Sequence, residues 1–509
     1  MDPAGFLQST FILPILLASI SLFLFLITYS SKKEAHKLPP GPPKLPIIGN
    51  LHQLSKNPHI SLHNLSKKYG PIFHLQLGQI STIILSSAKM AKEAMKTHDI
   101  SLATRPQLFA AKHLFYNCTD VAFAPYGPHW IHVRKICNSE LFSSKRVQSY
   151  GLVREEEVAK LVHRIEESCN KNGTTNLTRL LNIYANAVLC RAVFGTDFSV
   201  EYERFGFHEM LNEYQELLGG FSIGDFFPSL EFLHTLTGHK QRLMRAFQRF
   251  DQLFSDVIKE KLELDDGQKE HKDFVDILLE ELKDESAEAP LTMDNVKAIL
   301  LDMFAAGTDT TFITLDWAMT ELIRNPTALK KAQSELRNIV GQNKLVSEND
   351  HLPHLHYLKS VIKETYRLHP PVPVLLPRES MQEITIGDFK IPEKTRVFIN
   401  AWSVGRNPES WYNNPEMFEP QRFMGSEIDF RGQDFELIPF GAGRRICPGM
   451  IFGSAVVEIG LAQILHSFDW ELPHGVEVKD LDMSEVFGIS MPKKSPLIVV
   501  AKPYDGIKK

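Results

Sequence analysis

The segment "PFGAGRRICPGM", Pro439–Met450, places a single thiol among two arginines, two prolines and three glycines. A plain hydrophobic core would exclude these charges, and an ordinary surface loop would not need them beside a thiol. A cysteine thiolate is both a nucleophile and a metal ligand, and positive surroundings favour it. The apolar run after Pro448 and Gly449 predicts a helix with proline in its first turn. The N–H groups and partial positive charge of that helix end would point at Cys447.

Three further roles are open to Cys447 at this point. Structural burial is the commonest state of a lone cysteine, a disulfide has no obvious partner, and zinc would need further ligands at close spacing. The cysteines are scattered, odd in number and without C-x-x-C, which argues against a disulfide framework and favours a reducing compartment. They are Cys118, Cys137, Cys169, Cys190 and Cys447.

The composition indicates a large globular protein. The chain has 509 residues, of which 43% are hydrophobic and 10% aromatic, enough for one large core. Its net charge of -5 comes without a long basic run, so we expect no nucleic-acid partner. Helical patterns dominate, most clearly from Arg154 to Leu282, with breaks near Gly219-Gly220 and Pro228.

Strand patterns are shorter and lie apart from the helical region. Residues 71–87, "PIFHLQLGQISTIILSS", predict a hairpin, and residues 384–402 predict a meander. The charged run Lys259–Ser286 is interpreted as a solvated face with a loop. We therefore predict a mainly α fold with smaller β-sheets at one side, in one large domain behind an anchor.

The predicted anchor is the uncharged stretch from Phe6 to Tyr29, long enough to span the roughly 30 Å core of a bilayer. One proline, Pro14, is tolerable in such a helix. A cleaved signal peptide is the alternative, but Asp2 precedes the apolar run, no basic residue does, and no A-x-A-like site follows. Basic residues come after it, so the positive-inside rule leaves the rest of the chain in the cytosol.

The stretch after the anchor is basic and then rich in proline. Prolines at positions 39, 40, 42, 43 and 46 cannot form a regular helix and predict a stiff, extended spacer. The predicted organisation is a short lumenal end at 1–5, a transmembrane anchor at 6–29, a hinge at 30–50 and one large domain at 51–509.

A long helix with a polar centre is predicted between the N-cap Thr292 and Arg324, where Asn325-Pro326 ends it. Its length, roughly 48 Å, would carry it across the whole domain. At its middle, Ala305, Ala306 and Gly307 remove side-chain bulk, so a flat ligand could approach.

Two polar residues follow these small ones. Asp309 and Thr310 put an acid beside an alcohol, and such a pair can deliver protons into a dry pocket. The alternative is a satisfied polar kink, in which a threonine hydroxyl bonds the carbonyl four residues earlier.

The cysteine segment resembles the haem-binding loop of the cytochrome P-450 superfamily. The pattern F-x-x-G-x-R-x-C-x-G is filled by Phe440, Gly443, Arg445, Cys447 and Gly449. "AGTDTT", Ala306–Thr311, resembles the oxygen-activation motif of this family. The anchor and proline-rich hinge are similar to those of microsomal members, and "HPPVPVLLPRES" is similar to the plant group that oxidises specialised metabolites.

Further motifs extend the resemblance over nearly the whole chain. Glu364 and Arg367 fill E-x-x-R, and Arg422 in "PQRF" completes the structural network of the family. Gln421 departs from the usual P-E-R-F. Trp130 and Arg134 match W-x-x-x-R, whose residues contact a haem propionate, and Arg378 stands where the family has another propionate partner.

The resemblance implies haem b with the Cys447 thiolate as axial iron ligand. It also implies O2 as co-substrate and electrons from NADPH through a separate flavin reductase, because no nucleotide-binding fingerprint is seen here. Cytochrome b5 is a candidate second partner, membrane lipid surrounds the anchor, and the location is the endoplasmic reticulum membrane with the catalytic domain in the cytosol.

The expected activity is oxidation of a small lipophilic metabolite, a terpenoid or alkaloid, by hydroxylation, oxidative cyclisation or desaturation. An NADPH-independent isomerase or dehydratase on the same scaffold, and a non-catalytic haem sensor or membrane scaffold, are the alternatives. The residues that the resemblance puts in the substrate pocket are Phe115, Val121, Asp302, Ala305, Ala306, Val372, Val374, Leu376 and Ile489.

Overall fold

The computed structural model describes residues 38–195, 207–220, 222–263, 272–284, 286, 288–342 and 345–506. The predicted lumenal end, the membrane anchor and the first part of the hinge, residues 1–37, lie outside the described residues. The rest of the hinge packs on the domain, because the N–H of His74 donates to the carbonyl of Pro40 at 2.9 Å. The side-chain amide of Asn50 also donates to Pro43 at 3.0 Å.

Helices form most of the described chain. Those of the first half are α1 Pro58–Tyr69, α2 Ala88–Lys92, α3 Phe109–Leu114, α4 Pro128–Ile136, α5 Ser144–Ser149, α6 Gly151–Asn172 and α7 Leu177–Phe194. Then come α8 Phe207–Gly219, α9 Ile223–Phe226, α10 Leu233–Leu236, α11 His239–Glu263 and α12 Phe274–Glu281. The last group is α13 Met293–Arg324, α14 Pro326–Val340, α15 His356–Leu368, α16 Ala401–Val404 and α17 Met450–Ser467. The predicted breaks near Gly219-Gly220 and Pro228 are confirmed.

Within the described residues, the strands form three small sheets. They are β1 Ile72–Leu77, β2 Ile80–Leu85, β3 Thr175–Asn176, β4 Arg378–Glu379, β5 Ile384–Ile386, β6 Phe389–Ile391, β7 Arg396–Ile399, β8 Phe468–Glu471 and β9 Ile498–Pro503. One sheet has the order β1-β2-β7-β4, another β3-β9-β8, and β5 pairs with β6 alone. The predicted hairpin is confirmed, with Leu77 opposite Ile80 across a two-residue turn.

Helix α13 is the centre of the fold and has the predicted bounds. Thr292 Oγ1 accepts the N–H of Asn295 at 3.3 Å, and Asn295 Oδ1 accepts the N–H of Thr292 at 2.8 Å, so both helix-end donors are satisfied. Helices α7 and α17 pack against α13, and one large core cluster includes residues of all three helices. Both α13 and α17 are long and apolar enough to cross a bilayer, yet most of their residues are buried in this domain.

Three local predictions are wrong. The run Lys259–Ser286 is not only a solvated face, because α12 within it buries Phe274 and Leu278. Its few apolar residues fall on one side of a short helix, and the surrounding charges hid that pattern. The predicted meander is divided, since β5 and β6 pair together while β7 runs parallel to β2. Pro448 lies before α17, which begins at Met450.

Candidate functional site

The open part of α13 is a short stripe in its middle. The residues from Asp302 to Ala305 are buried, whereas Ala306 is exposed and Thr310 is partly exposed. These two residues lie four positions apart and therefore share one face of the helix. The hydroxyl of Thr310 donates to the carbonyl of Ala306 at 2.7 Å, which is the bond that the polar-kink interpretation required. A side of this core helix is thus left free at Ala306.

The three small residues of α13 have different surroundings. Ala305 is fully buried in the core. A methyl group added to Gly307 would lie 2.8 Å from the side chain of Leu189, so this glycine lets α7 approach. Only Ala306 of the three faces open space, and the expectation that all three clear room for a ligand is too broad.

The cysteine loop folds back on itself before α17. Cys447 is partly exposed, and its N–H donates to the carbonyl of Phe440 at 2.9 Å. Gly443 has a φ of +70°, and an added methyl group would lie 2.3 Å from the carbonyl oxygen of Met95. Glycine is therefore required at this position. The ring of Phe440 packs edge-on against Tyr366, with 5.2 Å between ring centres.

Some neighbours of the Cys447 thiol raise its pKa and others lower it. Burial raises the pKa of Cys447, while a hydrogen bond from the N–H of Gly449 and the positive charge of Arg134 lower it. Gly449 is the N-cap of α17, so its N–H belongs to the positive end of that helix. The thiolate form is the one that these two neighbours favour.

Arg445 is buried and bonded to the backbone rather than to an acidic side chain. It donates to the carbonyls of Ala103 and Ala124, both at 2.6 Å. Its guanidinium lies 4.0 Å from the ring centre of Trp130, whose indole N–H donates to the carbonyl of Val121 at 3.0 Å. The two side chains thus tie the cysteine loop to the chain around residues 103–124.

Two other arginines lie near this loop, and they differ in how their guanidinium groups are hydrogen-bonded. Arg378 is buried, donates to the carbonyl of Ala442 at 2.9 Å and lies 3.4 Å from the carboxylate of Asp99. The guanidinium of Arg134 has no hydrogen bond or ion pair with another described residue. Burial lowers the pKa of Arg134, and the nearby thiols of Cys137 and Cys447 raise it. Arg134 therefore keeps N–H donors for a ligand beside the thiol.

Arg105 was missed by the sequence analysis. It is buried and donates to the carbonyls of Leu376 and Pro377 at 2.7 and 2.9 Å. Burial lowers the pKa of Arg105, and the charges of Arg445 and Arg378 lower it further. The segment "TRPQ" holds no motif that marks this arginine, because its partners are carbonyls distant in sequence.

Asp302 holds a neighbouring loop. Its carboxylate accepts the N–H groups of Val121 and Ala122 at 2.7 and 3.2 Å, and Asp120, also missed, shares the second of these donors. Burial and then the charge of Asp120 raise the pKa of Asp302. Asp302 thus fixes the loop that carries the predicted pocket residue Val121.

The other predicted pocket residues lie on several elements. Phe115 is fully buried and packs on Phe123, with 5.4 Å between ring centres. Val372, Val374 and Leu376 are each partly exposed, while the residues between them are buried. All three side chains therefore stand partly open, and Val374 packs against the cluster that contains Phe73, whereas Leu376 packs against the main core. Ile489 is partly exposed as well.

Asp309 points at another helix. It is buried, and its carboxylate accepts a hydrogen bond from the side-chain amide of Gln215 in α8. Burial raises the pKa of Asp309 to about 7, and the bond from Gln215 lowers it. This carboxyl can therefore exchange a proton near neutral pH.

The Glu364, Arg367 and Arg422 network is assembled as the motifs predict. Arg367 donates twice to Glu364, at 2.6 and 2.7 Å, and both side chains are fully buried. Arg422 Nε lies 3.4 Å from Glu364 Oε1, and its remaining N–H groups donate to the carbonyls of residues 412–414. Gln421, which departs from the family pattern, is exposed and accepts from Lys331.

These residues fit the haem that the resemblance implies. A partly exposed thiol with a helix-end donor, an arginine with free N–H groups and the open stripe at Ala306 and Thr310 are the features that this cofactor needs. When bound through Cys447, haem would supply the iron chemistry that activates O2. Arg134 would donate to its anionic groups, and the open stripe at Ala306 would leave room for it.

Comparisons with known proteins agree with this geometry. The family model described as "Cytochrome P450" matches residues 39–500. A curated protein named "Cytochrome P450 71AP13", from Prunus mume, is 62% identical over 95% of this chain and 94% of its own length. "Premnaspirodiene oxygenase" from Hyoscyamus muticus is 46% identical over 95% of this chain and 96% of its own length.

The fold is found among solved structures as well. The zebra fish cytochrome P450 solved with abiraterone superposes with a TM-score of 0.76 and is 25% identical. The match covers 89% of this chain and all of that structure. The predicted mainly α fold with smaller sheets is confirmed.

Replacing Cys447 by alanine is expected to abolish the spectrum of thiolate-ligated haem, because no other described cysteine lies in this loop. The reduced protein is titrated with carbon monoxide and its absorbance recorded. Cys169→Ala is the matched control and is expected to keep the thiolate spectrum. A thiolate spectrum in Cys447→Ala would contradict the ligand assignment.

Glu364→Gln is expected to destabilise the domain by about 3–5 kcal/mol, because it leaves the buried charge of Arg367 without its partner. The urea midpoint of haem loss measures the effect. Gln421→Glu, which restores the usual family residue at an exposed position, is the control and should change stability by less than about 0.5 kcal/mol. Equal midpoints for Glu364→Gln and the unaltered protein would show that the network is dispensable.

Proposed function

This chain belongs to the cytochrome P450 family of haem-thiolate monooxygenases, and from that premise we propose that it oxidises a small lipophilic plant metabolite of terpenoid or alkaloid type. The reaction would be hydroxylation, oxidative cyclisation or desaturation. One observation carries the proposal: the Cys447 thiol stands at a helix N-terminus in a domain whose buried central helix is open at Ala306 and Thr310. The 46% identity to a premnaspirodiene oxygenase supports the substrate class.

The residues proposed to contact haem fall into two groups, according to whether their hydrogen-bond donors are already used within the protein. Arg134 is the proposed propionate partner, supported by its free N–H groups and its nearness to Cys447. Trp130, Arg378 and Arg445 would hold the cofactor mainly by keeping the cysteine loop in place, since their donors go largely to backbone carbonyls. Phe440, Gly443 and Gly449 would shape the loop itself. Glu364, Arg367 and Arg422 would brace it from behind.

Asp309 and Thr310 are the proposed route for protons. The carboxyl of Asp309 is buried yet titrates near neutral pH, so it can give up and regain a proton under cellular conditions. The Thr310 hydroxyl lies on the open face, one residue further along the helix. It would pass protons to oxygen bound in the pocket.

The substrate would lie against the apolar side chains collected above. Val372, Val374 and Leu376 offer one wall, the Phe115–Val121 region a second, and Ile489 a third. Asp302 would act through the loop it holds, because its carboxylate is already bonded to two backbone N–H groups. Ala305 is buried and would support Ala306 rather than touch the substrate.

Membrane attachment is proposed through residues 6–29, with 1–5 in the lumen, 30–50 as hinge and 51–509 as the catalytic domain facing the cytosol. An exposed apolar patch supports this orientation. It consists of Leu45, Ile47, Ile48, Phe232 and Leu236. The turn between β1 and β2 contacts both stretches of chain near these residues: the N–H of Gly78 donates to the carbonyl of Ile48 at 3.2 Å, and the N–H of Gln79 donates to the carbonyl of Phe226 at 2.8 Å. Such a patch beside the hinge would rest in the lipid surface.

The location would be the endoplasmic reticulum membrane. The proposed electron source there is an NADPH-dependent flavin reductase, with cytochrome b5 as a candidate second partner.

The first experiment is product profiling with and without NADPH. Membranes bearing the protein and a reductase are incubated with an extract of lipophilic plant metabolites, and mass spectrometry compares the two samples. We expect an NADPH-dependent product that has gained one oxygen or lost two hydrogens. Products that form equally without NADPH would instead support the isomerase or dehydratase alternative.

Thr310→Ala is expected to keep the haem but to release more peroxide for each NADPH consumed, because the proton route loses its last hydroxyl. Peroxide, product and NADPH are measured together. Thr310→Ser retains the hydroxyl and is expected to restore most of the coupling. Unchanged coupling in Thr310→Ala would remove this residue from the route.

A further inference from the structure

The buried acid of the central helix depends on a residue outside every motif. Among the described residues, the hydrogen bond that the Asp309 carboxylate receives from a side chain comes from Gln215 alone. Gln215 belongs to α8, and α8 and α13 are separate in sequence. The carboxyl is therefore held from a neighbouring helix, beside the face that carries Ala306 and Thr310.

The amide of Gln215 has a second, unused group. Its oxygen is buried, and no donor among the described residues reaches it. A carboxamide can donate an N–H to a carboxylate and, after a half-turn, accept the O–H of a carboxylic acid. Gln215 can thus stay bonded to Asp309 whether the acid is charged or neutral. A leucine or methionine of similar size could do neither.

Helix α8 is also in contact with the proposed substrate walls. Tyr214, next to Gln215, meets Phe115 edge-on with 6.0 Å between ring centres. At the end of α8, a methyl group added to Gly219 would lie 2.2 Å from the backbone nitrogen of Ile489. Helix α8, whose Gln215 bonds Asp309, therefore contacts two of the predicted pocket residues.

We propose that Gln215 is the positioning residue of the acid Asp309, holding its carboxyl through both protonation states while protons pass to Thr310. The proposal rests on the proton route assigned to Asp309 and Thr310 above. Because α8 contacts Phe115 and Ile489, a substrate bound against these two residues would also restrict the motion of α8 and of the Gln215 amide. The Asp309 carboxyl would then be held most firmly in position when substrate fills the pocket.

The titratable groups around this carboxyl are few. Burial raises the pKa of Tyr214 in α8, and the carboxylates of Asp302, Asp120 and Asp309 raise it further. For Asp309 itself, burial raises the pKa and the amide of Gln215 lowers it, without a contribution from a charged side chain. Removing the amide donor therefore shifts the protonation midpoint of Asp309 upward. Because the amide can also bond the neutral acid, the shift corresponds to the difference between a hydrogen bond to a charged group and one to a neutral group, which is about one pH unit.

The experiment compares Gln215→Met with the unaltered holoenzyme in two measurements. The first is the infrared band of the protonated carboxyl of Asp309, identified by its loss in Asp309→Asn and titrated in the resting protein without NADPH. The second is peroxide released for each NADPH consumed, as a function of pH. We expect both midpoints to move upward by about one pH unit.

Gln252→Met is the matched control. Gln252 is also a glutamine that donates to an aspartate, Asp256 at 2.8 Å, but it is exposed on α11. It should move neither midpoint. Should Gln215→Met lose its haem, Gln215→Asn, which is one methylene too short to reach Asp309, takes its place with the same expectation.

The outcomes separate this inference from the proposed function. An infrared midpoint unmoved in a haem-loaded Gln215 variant would overturn the positioning role, while NADPH-dependent product from the unaltered enzyme would leave the proposed function standing. A moved infrared midpoint with unmoved peroxide release would remove Asp309 from the proton route and overturn the inference with it. Absence of any NADPH-dependent product would count against the proposed function, whereas the infrared result does not depend on turnover.

Discussion

The charge of the Cys447 sulfur is the constraint on which the rest of the site depends. A thiolate ligand has to be enclosed, and enclosure raises the pKa of the thiol. Two groups that are in place without a ligand lower this pKa: the N–H of Gly449 at the start of α17, which donates a hydrogen bond, and the positive charge of Arg134. These work only if the loop keeps its shape, which explains why Gly443 admits no side chain beside Met95.

Three buried arginines near the cysteine loop hold the backbone of distant segments together. Arg445, Arg378 and Arg105 each donate to at least two carbonyls from distant parts of the chain. Their burial costs solvation, and the multiple bonds of each planar guanidinium offset that cost. The arrangement joins the cysteine loop, the segment before β4 and residues 102–124 into one frame. Arg134 differs from them because its donors are left for a ligand.

The sequence predicted those elements that are determined by residues close to them in the chain. The capping residues of α13 and the two-residue hairpin turn depend on neighbours within a few positions, so their patterns are readable. The cysteine loop depends on distant residues and was recognised through its resemblance to a family motif. The burial of α12 was missed because its apolar residues stand among charges, and the pairing of β7 was missed because its partner β2 lies some three hundred residues away. Arg105, Asp120 and Gln215 could not be found from the sequence. Each acts on a partner that only the tertiary fold brings near, and their residue types are common on any surface.

The separation of Asp309 from Thr310 follows from the geometry of a helix. Successive residues point about 100° apart, so an acid next to the open stripe necessarily faces a packed neighbour instead of the cavity. Burial alone would keep that carboxyl protonated, and a cationic partner would keep it ionised. An uncharged amide does neither, which is why the pKa of Asp309 stays at about 7 with Gln215 beside it. A proton donor that must be refilled in each cycle needs this intermediate state, and a neutral partner on a separate helix is a physical means of providing it.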